Sequence, residues 1–410
     1  MTFRPFQADR DRDAVRRIWR EVGWIETEDH ERGLDVFLDS GGRRMVADLG
    51  DEPECMVATD PASLTYLDEE IPVSCITCVT TSRVARKRGL ASRLTARTVA
   101  EDALDGAGVA MLGIFEQGFY NQLGFGNGSY ERWCTFDPAE LTVDVDPRTP
   151  RRLTAEDWEL VHSSRLGRSR AHGACSLQPS ALTRSEMLWS ENGFGLGYVD
   201  GAGNLTHHFW CGTKSPEHGP YRVLWMAFRD RAQFRELLAL LKSLGDQVHS
   251  IRLHEPGAVQ LQDLLRQPFR MRRLTEKSRH EQRMSASSYW QIRLLDLRTC
   301  IEKTHLEVEP VAFNLHLTDP IERHLPDEAP WRGVGGSYSI VFGPESSVED
   351  GSDPSLPTME ASVGAFTRMW LGVRSPTALS WTDDLAGPPD LLDRLDRSLR
   401  LPAPTCDWDF

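Results

Sequence analysis

Long apolar runs are missing from this chain. No stretch of its 410 residues approaches the roughly 20 consecutive apolar residues that a membrane-spanning helix needs. The first residues, MTFRPFQADRDRD, are polar and hold no apolar core of the kind found in secretory signal peptides. We therefore expect a cytoplasmic protein with no membrane partner.

Cysteine is sparse as well. Eight cysteines are scattered over the chain, which is typical of reduced, buried thiols rather than of a disulfide framework. Cys75 and Cys78 have the spacing of a redox or zinc pair, but VSCITCVTT reads as a β-strand, in which residues three apart point to opposite faces. No second pair complements them, so we interpret both as core residues and expect no metal site.

Positive charge is in the minority, since the formal net charge is −14. A general nucleic-acid surface would need basic stripes, so we expect no nucleic-acid partner. An acidic protein favours cationic small molecules through its local potential. The sequence also holds no H-E-x-x-H, Walker or G-x-S-x-G motif. One stretch departs from the acidic balance: SRVARKRGLASRLTAR, residues 82–97, places six Arg or Lys side chains in sixteen positions.

Hydrophobic patterning predicts two βαβ units. In the first, residues 72–81 and 109–115 read as buried strands and residues 89–104 as the helix between them. In the second, strands at 223–228 and 248–253 flank a helix whose apolar residues recur at helical spacing. Both units predict parallel strand pairs joined by a right-handed crossover.

The last 125 residues have a different pattern, in which apolar residues alternate over 290–294 and 311–317 and predict half-buried antiparallel strands. A chain of this length is too long for one ordinary core. We therefore predict a mixed α/β protein of three domains, at residues 1–147, 148–285 and 286–410.

The basic stretch lies between the first predicted strand and its helix, with Gly89 where the helix begins. Helix N-termini bind phosphate readily because their N–H groups are unpaired and carry partial positive charge. Glycine allows a close backbone approach, and Arg86, Lys87 and Arg88 add charge and hydrogen-bond donors. The stretch therefore predicts a site for a phosphorylated ligand; the alternative is a solvated helix face.

Two motifs give this site a family resemblance. Residues 86–91, RKRGLA, fit the R-x-x-G-x-A loop that grips the pyrophosphate of coenzyme A in the GNAT acetyltransferase superfamily. Residues 119–125, FYNQLGF, closely resemble the (F/Y)Y-x-x-(L/F)-G-(F/Y) segment that GNAT enzymes place beside the thioester. The resemblance implies that Tyr120 is the general acid, and a phenol with a pKa near 10 can return a proton to a thiolate with a pKa near 8.5. The alternative is that Tyr120 packs in the core with its hydroxyl tied off.

The whole chain resembles the enhanced intracellular survival family of GNAT enzymes. That resemblance implies tandem GNAT-like lobes, the second without the coenzyme loop, followed by a sterol-carrier-protein-like domain, and assembly as a homohexamer. It also implies acetyl-CoA-dependent N-acetylation of multi-amine cationic substrates, either aminoglycosides or lysine-bearing molecules. Family members often have proline where this chain has Arg83. The coenzyme site implied by the resemblance comprises Cys78, Val79, Thr80, Arg86, Lys87, Arg88, Gly89, Leu90, Ala91 and Tyr120.

The end of the chain, TCDWDF, is too aromatic for a frayed terminus. The resemblance implies that the α-carboxylate of Phe410 reaches the first lobe and takes the substrate proton. We expect Trp24, Glu28 and Asp409 to contribute to the acceptor site. Two other functions remain open: a non-catalytic acyl-CoA-binding regulatory protein, and a lipid-binding protein built on the C-terminal domain.

Overall fold

The computed structural model describes residues 1–116, 118–257, 259–267 and 276–409. The elements up to residue 136 are β1 (Thr2–Pro5), α1 (Ala8–Glu21), α2 (Glu28–Leu38), β2 (Arg43–Leu49), β3 (Glu52–Tyr66), β4 (Glu69–Thr81), α3 (Leu90–Leu104), β5 (Val109–Gly113), β6 (Gly126–Asn127) and β7 (Glu131–Phe136). The next are β8 (Arg151–Leu153), α4 (Trp158–Leu166), β9 (Cys175–Leu177), α5 (Ser180–Leu188), β10 (Phe194–Val199), β11 (Leu205–Thr213), β12 (Tyr221–Ala227), α6 (Arg231–Lys242) and β13 (Ile251–His254).

The remaining elements are β14 (Arg283–Ser287), β15 (Trp290–Leu294), α7 (Leu297–Glu302), β16 (Val311–Thr318), β17 (Gly336–Phe342), β18 (Ser347–Asp350), β19 (Thr358–Ser362), α8 (Val363–Trp370), α9 (Pro376–Thr382), β20 (Leu385–Ala386) and α10 (Pro389–Ser398). Short 3₁₀ turns occur at Tyr120–Leu123, Pro138–Glu140, Ala155–Asp157, Leu261–Leu264 and Pro320–His324. Within the described ranges, no helix is both long and apolar enough to cross a membrane.

The described strands form three sheets, which confirms the mixed α/β class. The first has the order β1-β2-β3-β4-β5-β15-β6, with β9 added at the end of β3. The second has the order β14-β7-β13-β12-β11-β10-β8, and the third β18-β17-β16-β19-β20. Both predicted βαβ units are present: β4 pairs with β5, and β12 with β13, in parallel.

The first sheet is covered on both faces. Alternate residues of β2, β3, β4 and β5 pack with α1 and α2 on one side, while the intervening residues pack with α3 on the other. This two-sided burial explains why β4 reads as a nearly continuous apolar run in the sequence.

Two strands cross the expected domain limits. β7 lies before residue 147 but belongs to the second sheet, and β15 lies after residue 285 but pairs with β5 and β6 of the first sheet. The prediction that residues 290–294 are half-buried is wrong, because all five are buried between two neighbours in that sheet. Sequence alternation gives no information on which sheet a strand joins, and β15 has partners far away in the chain.

The cysteines are free and buried, as expected. The expectation that Cys75 and Cys78 point to opposite faces is wrong, since both pack in the same core cluster as Met56 and Ala58. The reason is a β-bulge: the register of β3 against β4 shifts between Met56 and Ala58, and Cys78 has a φ of 57°. An inserted residue reverses the alternation of the strand beyond it.

A buried ion pair links β15 to the C-terminal part of the chain. The Arg293 guanidinium donates to the Asp319 carboxylate at 2.5 Å and also to the carbonyl of Leu123, and the two charged side chains are 0% and 2% exposed. Asp319 also accepts from the backbone N–H groups of Val334 and Ile321, at 2.9 and 3.1 Å. A buried charge with this set of partners is costly to break on one side only.

We predict that Arg293→Met lowers the free energy of unfolding by about 3–5 kcal/mol, because it leaves the Asp319 charge buried without its counter-ion. Chemical denaturation followed by circular dichroism measures the change. Arg394→Met is the matched control: Arg394 is exposed on α10, so its loss should change stability by no more than about 0.5 kcal/mol. A loss below about 1 kcal/mol for Arg293→Met would show that the pair does not hold these parts together.

Candidate active site

The first sheet opens where β4 and β5 separate. The two strands pair only from Val73–Ile76 to Val109–Leu112. Among the described residues, no strand replaces β5 beside residues 77–81 of β4. The backbone polar groups on that edge therefore lack a strand partner and border a cleft of about 910 Å³. Volumes of this size are typical of small-molecule and cofactor sites.

The β-bulge at Cys78 shapes one wall of this cleft. A positive φ is uncommon in a residue with a side chain, and it turns the strand locally. Cys78, Val79 and Thr80 all line the cleft as a result. The Thr80 hydroxyl donates to the Cys78 carbonyl at 3.3 Å, which fixes the bulged backbone.

The basic loop forms the opposite wall. Lys87 and Gly89 both have positive φ, 60° and 70°, so the chain curls before α3 begins at Leu90. Gly89 provides no side-chain cap and the first turn of α3 has no acidic residue, so no side chain caps the first N–H groups of the helix. At the start of the loop, the Arg83 N–H donates to the Glu21 carboxylate at 2.8 Å and its guanidinium donates to the Glu21 carbonyl at 3.1 Å. These contacts with the end of α1 therefore hold the turn at Arg83, the position at which family members often have proline.

Arg86, Lys87 and Arg88 are exposed, and none of the three forms an ion pair within the described ranges. Arginines elsewhere in the first sheet do pair with carboxylates: Arg43 contacts three and Arg4 two. Three neighbouring cations without counter-ions, beside an uncapped helix N-terminus, form a favourable place for an anionic ligand. Leu90 and Ala91 complete this wall of the cleft.

Tyr120 lies on the third side, at the start of the 3₁₀ turn Tyr120–Leu123. Its ring packs edge-on against Phe119 and Phe125, with centroids 4.9 and 6.1 Å away, and the residue is 6% exposed. Burial raises the pKa of the Tyr120 hydroxyl well above its usual range, so the group is protonated at neutral pH. The hydroxyl makes no hydrogen bond to any other described residue, so the ring packs in the core while its proton stays available.

Gly124 explains why the turn after Tyr120 takes this form. Its φ is 83°, and a Cβ atom there would lie 2.6 Å from Cγ1 of Val363. The Phe125 N–H donates to the Tyr120 carbonyl at 3.2 Å, which closes the turn. The glycine of this motif is thus required both by its backbone conformation and by the close approach of α8.

Two smaller cavities lie near the cleft, and one of them adjoins it. One of about 370 Å³ shares Gly113 and Ile114 with it, and a second of about 470 Å³ continues into the second sheet. Residues common to both are Trp133, Arg222, Cys406 and Asp409. An acceptor entering this way would meet the cleft near the end of β5.

The expected acceptor residues are only partly brought together. Trp24 lines the large cleft, and Asp409 lines both smaller cavities. Glu28 is the first residue of α2, is exposed, and lines none of the three. Phe410 lies outside the described residues.

The segment before Phe410 is firmly attached. Asp407 pairs with Arg168 at 2.6 Å, and the Trp408 indole N–H donates to Glu186 at 2.8 Å. The Arg165 guanidinium lies 3.6 Å from the centre of the Trp408 ring, which is 3% exposed. These contacts fix the tail so that it reaches the smaller cavities at Asp409.

Glu131, which was not predicted from the sequence, is the most unusual acid in this region. It is 7% exposed and lines the 370 Å³ cavity with Asp409. Burial, followed by repulsion from Asp409, raises its pKa to about 7. In β7, every second residue projects from the same face, so the side chains of Glu131, Trp133 and Thr135 share one face of the sheet. Nothing in the sequence shows which elements pack against that face.

Comparison with known proteins agrees with this geometry. Residues 3–128 match the family model of the acetyltransferase (GNAT) domain. Residues 3–128 therefore form a GNAT acetyltransferase domain, and the protein is an acyltransferase. A protein from Streptomyces avermitilis described as an uncharacterized N-acetyltransferase is 24% identical over 373 residues, which cover 85% of this chain and 81% of that protein.

The fold of the whole chain has solved counterparts. Eis1 from Mycobacterium abscessus is 17% identical, with a TM-score of 0.74 and full coverage of both chains. A GCN5-related N-acetyltransferase from Kribbella flavida is 19% identical, with a TM-score of 0.73, also over both full chains. The chain therefore shares the fold of these solved structures along its entire length.

We predict that neutralising the loop weakens binding of acetyl-CoA. Arg88→Ala should raise the KM for acetyl-CoA much more than it lowers kcat, and the Arg86/Lys87/Arg88 triple alanine variant should raise it further. The effect should shrink as salt is added, because screening already weakens exposed charges. Steady-state kinetics at two ionic strengths measures it, with Arg394→Ala as the control for loss of one exposed arginine. An unchanged KM in the triple variant would refute the role of the loop.

Proposed function

We propose that this enzyme transfers the acetyl group of acetyl-CoA to the nitrogen of an amine, with chemistry at Tyr120. The observation that carries the proposal is that a phenol and three cations, all without polar partners among the described residues, line one cleft beside an open strand edge. GNAT acetyltransferases use acetyl-CoA, and each part of this cleft suits one part of that molecule.

Successive parts of acetyl-CoA can be assigned to successive parts of the cleft. The loop cations and the N-terminus of α3 suit the pyrophosphate. The free edge of β4 at Cys78, Val79 and Thr80 offers backbone donors and acceptors to an extended chain that carries amides. Tyr120 then lies beside the thioester, which supplies an activated acetyl group.

Acyl transfer forms a C–N bond and breaks the C–S bond. Tyr120 donates its hydroxyl proton to the departing thiolate, whose conjugate thiol has a pKa near 8.5. The ammonium of a free acceptor has a pKa near 10.4, so a second group in the acceptor cavity has to remove its proton before attack.

We predict that Tyr120→Phe lowers kcat by about 10²–10⁴-fold, since it removes a general acid and keeps the ring that packs against Phe119 and Phe125. Thiol release from acetyl-CoA measures turnover, and equilibrium binding of acetyl-CoA should be unchanged. Tyr130→Phe is the matched control, because Tyr130 is exposed and lies outside the cleft. Near-normal turnover in Tyr120→Phe would show that Tyr120 only packs in the core.

The acceptor is proposed to bind in the two smaller cavities, with its amine toward Gly113 and Ile114. Glu131 and Asp409 support an amine there, because two neighbouring carboxylates repel each other and a cation between them relieves that repulsion. Multi-amine cations, either aminoglycoside-like or lysine-like, are the acceptor class that the family resemblance favours. Trp24 lies at the side of the cleft where such an acceptor would pass.

The terminal carboxylate of Phe410 is proposed as the proton acceptor. The support is the path of the tail: Trp408 is buried and Asp409 lines the cavity that shares Gly113 and Ile114 with the cleft. A carboxylate with a pKa near 3.5 is a weak base in water, so burial or relay through water has to assist it.

We predict that one glycine added after Phe410 abolishes most turnover while folding and acetyl-CoA binding persist. The extension displaces the carboxylate by up to about 3.6 Å and leaves both aromatic side chains in place. Turnover and binding are measured on the same preparation. Full activity in the extended enzyme would exclude the terminal carboxylate and leave Glu131 as the base.

The remaining features are proposed on the sequence and on the family resemblance. These are a division at residues 1–147, 148–285 and 286–410, a sterol-carrier-protein-like final domain that serves as scaffold, a homohexamer and a cytoplasmic location. A regulatory protein that only binds acyl-CoA would not need Tyr120 in the cleft. A lipid-binding role would be indicated by lipid retained in the purified protein.

A further inference from the structure

One face of the second sheet carries a row of three arginines. Arg222 of β12 lies opposite Arg252 of β13, and Arg252 lies opposite Thr135 of β7. Thr135 in turn lies opposite Arg283 of β14. Residues directly opposite one another project from the same face of a sheet, so the three guanidinium groups share one side.

Two of these arginines are held at the acceptor cavity by an aromatic ring. The guanidinium carbons of Arg222 and Arg252 lie 5.0 and 4.7 Å from the centre of the Trp133 ring, which is buried. Both arginines line the 370 Å³ cavity, which also contains Gly113 and Ile114. Stacking on Trp133 orders the two groups without neutralising them.

Among the described residues, carboxylates compensate the charge of this pair only weakly. Arg252 forms no ion pair within the described part of the chain, and Arg222 has only a long contact of 3.9 Å to Asp409. Burial, with repulsion from Arg222 and Arg283, lowers the pKa of Arg252. Glu131 faces the same cavity, but its pKa of about 7 leaves it only partly charged at neutral pH.

We propose that Arg222 and Arg252 form a subsite for an oxyanion of the acceptor, a carboxylate or a phosphate. Among lysine-like acceptors, the enzyme would then prefer those that also carry an acidic group. This inference rests on the proposed function, which places the acceptor amine at the Gly113 end of the same cavity. Paired guanidiniums bind such oxyanions through two parallel hydrogen bonds, and the cavity is large enough for a short chain between amine and acid.

The test uses acceptors that differ only in the acid. Nα-acetyl-L-lysine and Nα-acetyl-L-lysinamide carry the same side-chain amine, and only the first carries a carboxylate; O-phosphoethanolamine and ethanolamine form the corresponding phosphate pair. The full-length enzyme should show a kcat/KM about 10-fold or more higher for the acid of at least one pair, as expected for charge-assisted hydrogen bonds. Arg252→Gln should abolish that preference by raising the KM of the acid alone, with the KM for acetyl-CoA unchanged.

Arg132→Gln is the matched control. Arg132 lies on the other face of β7 from Trp133 and pairs with Glu255 at 3.7 Å, so its loss should leave the preference intact. Equal rates for both members of each pair would overturn the subsite. That outcome is also expected if the two arginines hold the chain's own terminal carboxylate.

A binding measurement separates this inference from the proposed function. Calorimetric titration of the protein with Nα-acetyl-L-lysine and with inorganic phosphate needs no turnover. Binding that Arg252→Gln abolishes, in a protein that acetylates no amine, would support the subsite and refute the proposed function. Acetylation without preference for an acid, together with no Arg252-dependent binding, would refute the subsite and leave the proposed function standing.

Discussion

The buried guanidinium of Arg293 connects the segment around Tyr120 to the rest of the chain. A charge with no exposed surface needs complete pairing, and Arg293 obtains it from Asp319 beyond β16 and from the carbonyl of Leu123. Leu123 lies in the same 3₁₀ turn as Tyr120. The position of the phenol therefore depends on an ion pair whose acidic member lies in the last third of the sequence.

Other contacts reinforce this dependence. β15 enters the first sheet between β5 and β6, so the two strands that flank the Tyr120–Leu123 turn are joined by a strand from outside the N-terminal region. Gly124 packs directly against α8. The C-terminal tail returns to the second sheet through Asp407 and Trp408. The residues that line the cleft all lie between Glu21 and Gln122, but later parts of the chain hold the turn that carries Tyr120.

Positive and negative side chains occupy different parts of the site. The chain has a net charge of −14 and pairs many of its arginines, but the cations of the basic loop and Arg252 have no carboxylate partner among the described residues. The carboxylates of Glu131 and Asp409 line the same cavity as Arg252. This arrangement suits a phosphorylated coenzyme on one side, and an acceptor amine with an attached acid on the other.

The sequence was informative where structure is local. Both βαβ units, the glycine at the start of α3 and the segment around Tyr120 follow from periodicity and short motifs, and the structure brings the loop and Tyr120 into one cleft. The placement of β15, the bulge at Cys78 and the row of Arg222, Arg252 and Arg283 could not be predicted. Each depends on strand register between distant segments, and a single sequence carries no signal for that register.

A crystal structure of the enzyme with coenzyme A tests the central claim most directly. Our account predicts the pyrophosphate at the N-terminus of α3 among Arg86, Lys87 and Arg88, the pantetheine arm along the open edge of β4, and the sulfur within hydrogen-bond distance of the Tyr120 hydroxyl. Coenzyme bound to the second sheet, or bound in the cleft with its sulfur far from Tyr120, would contradict it.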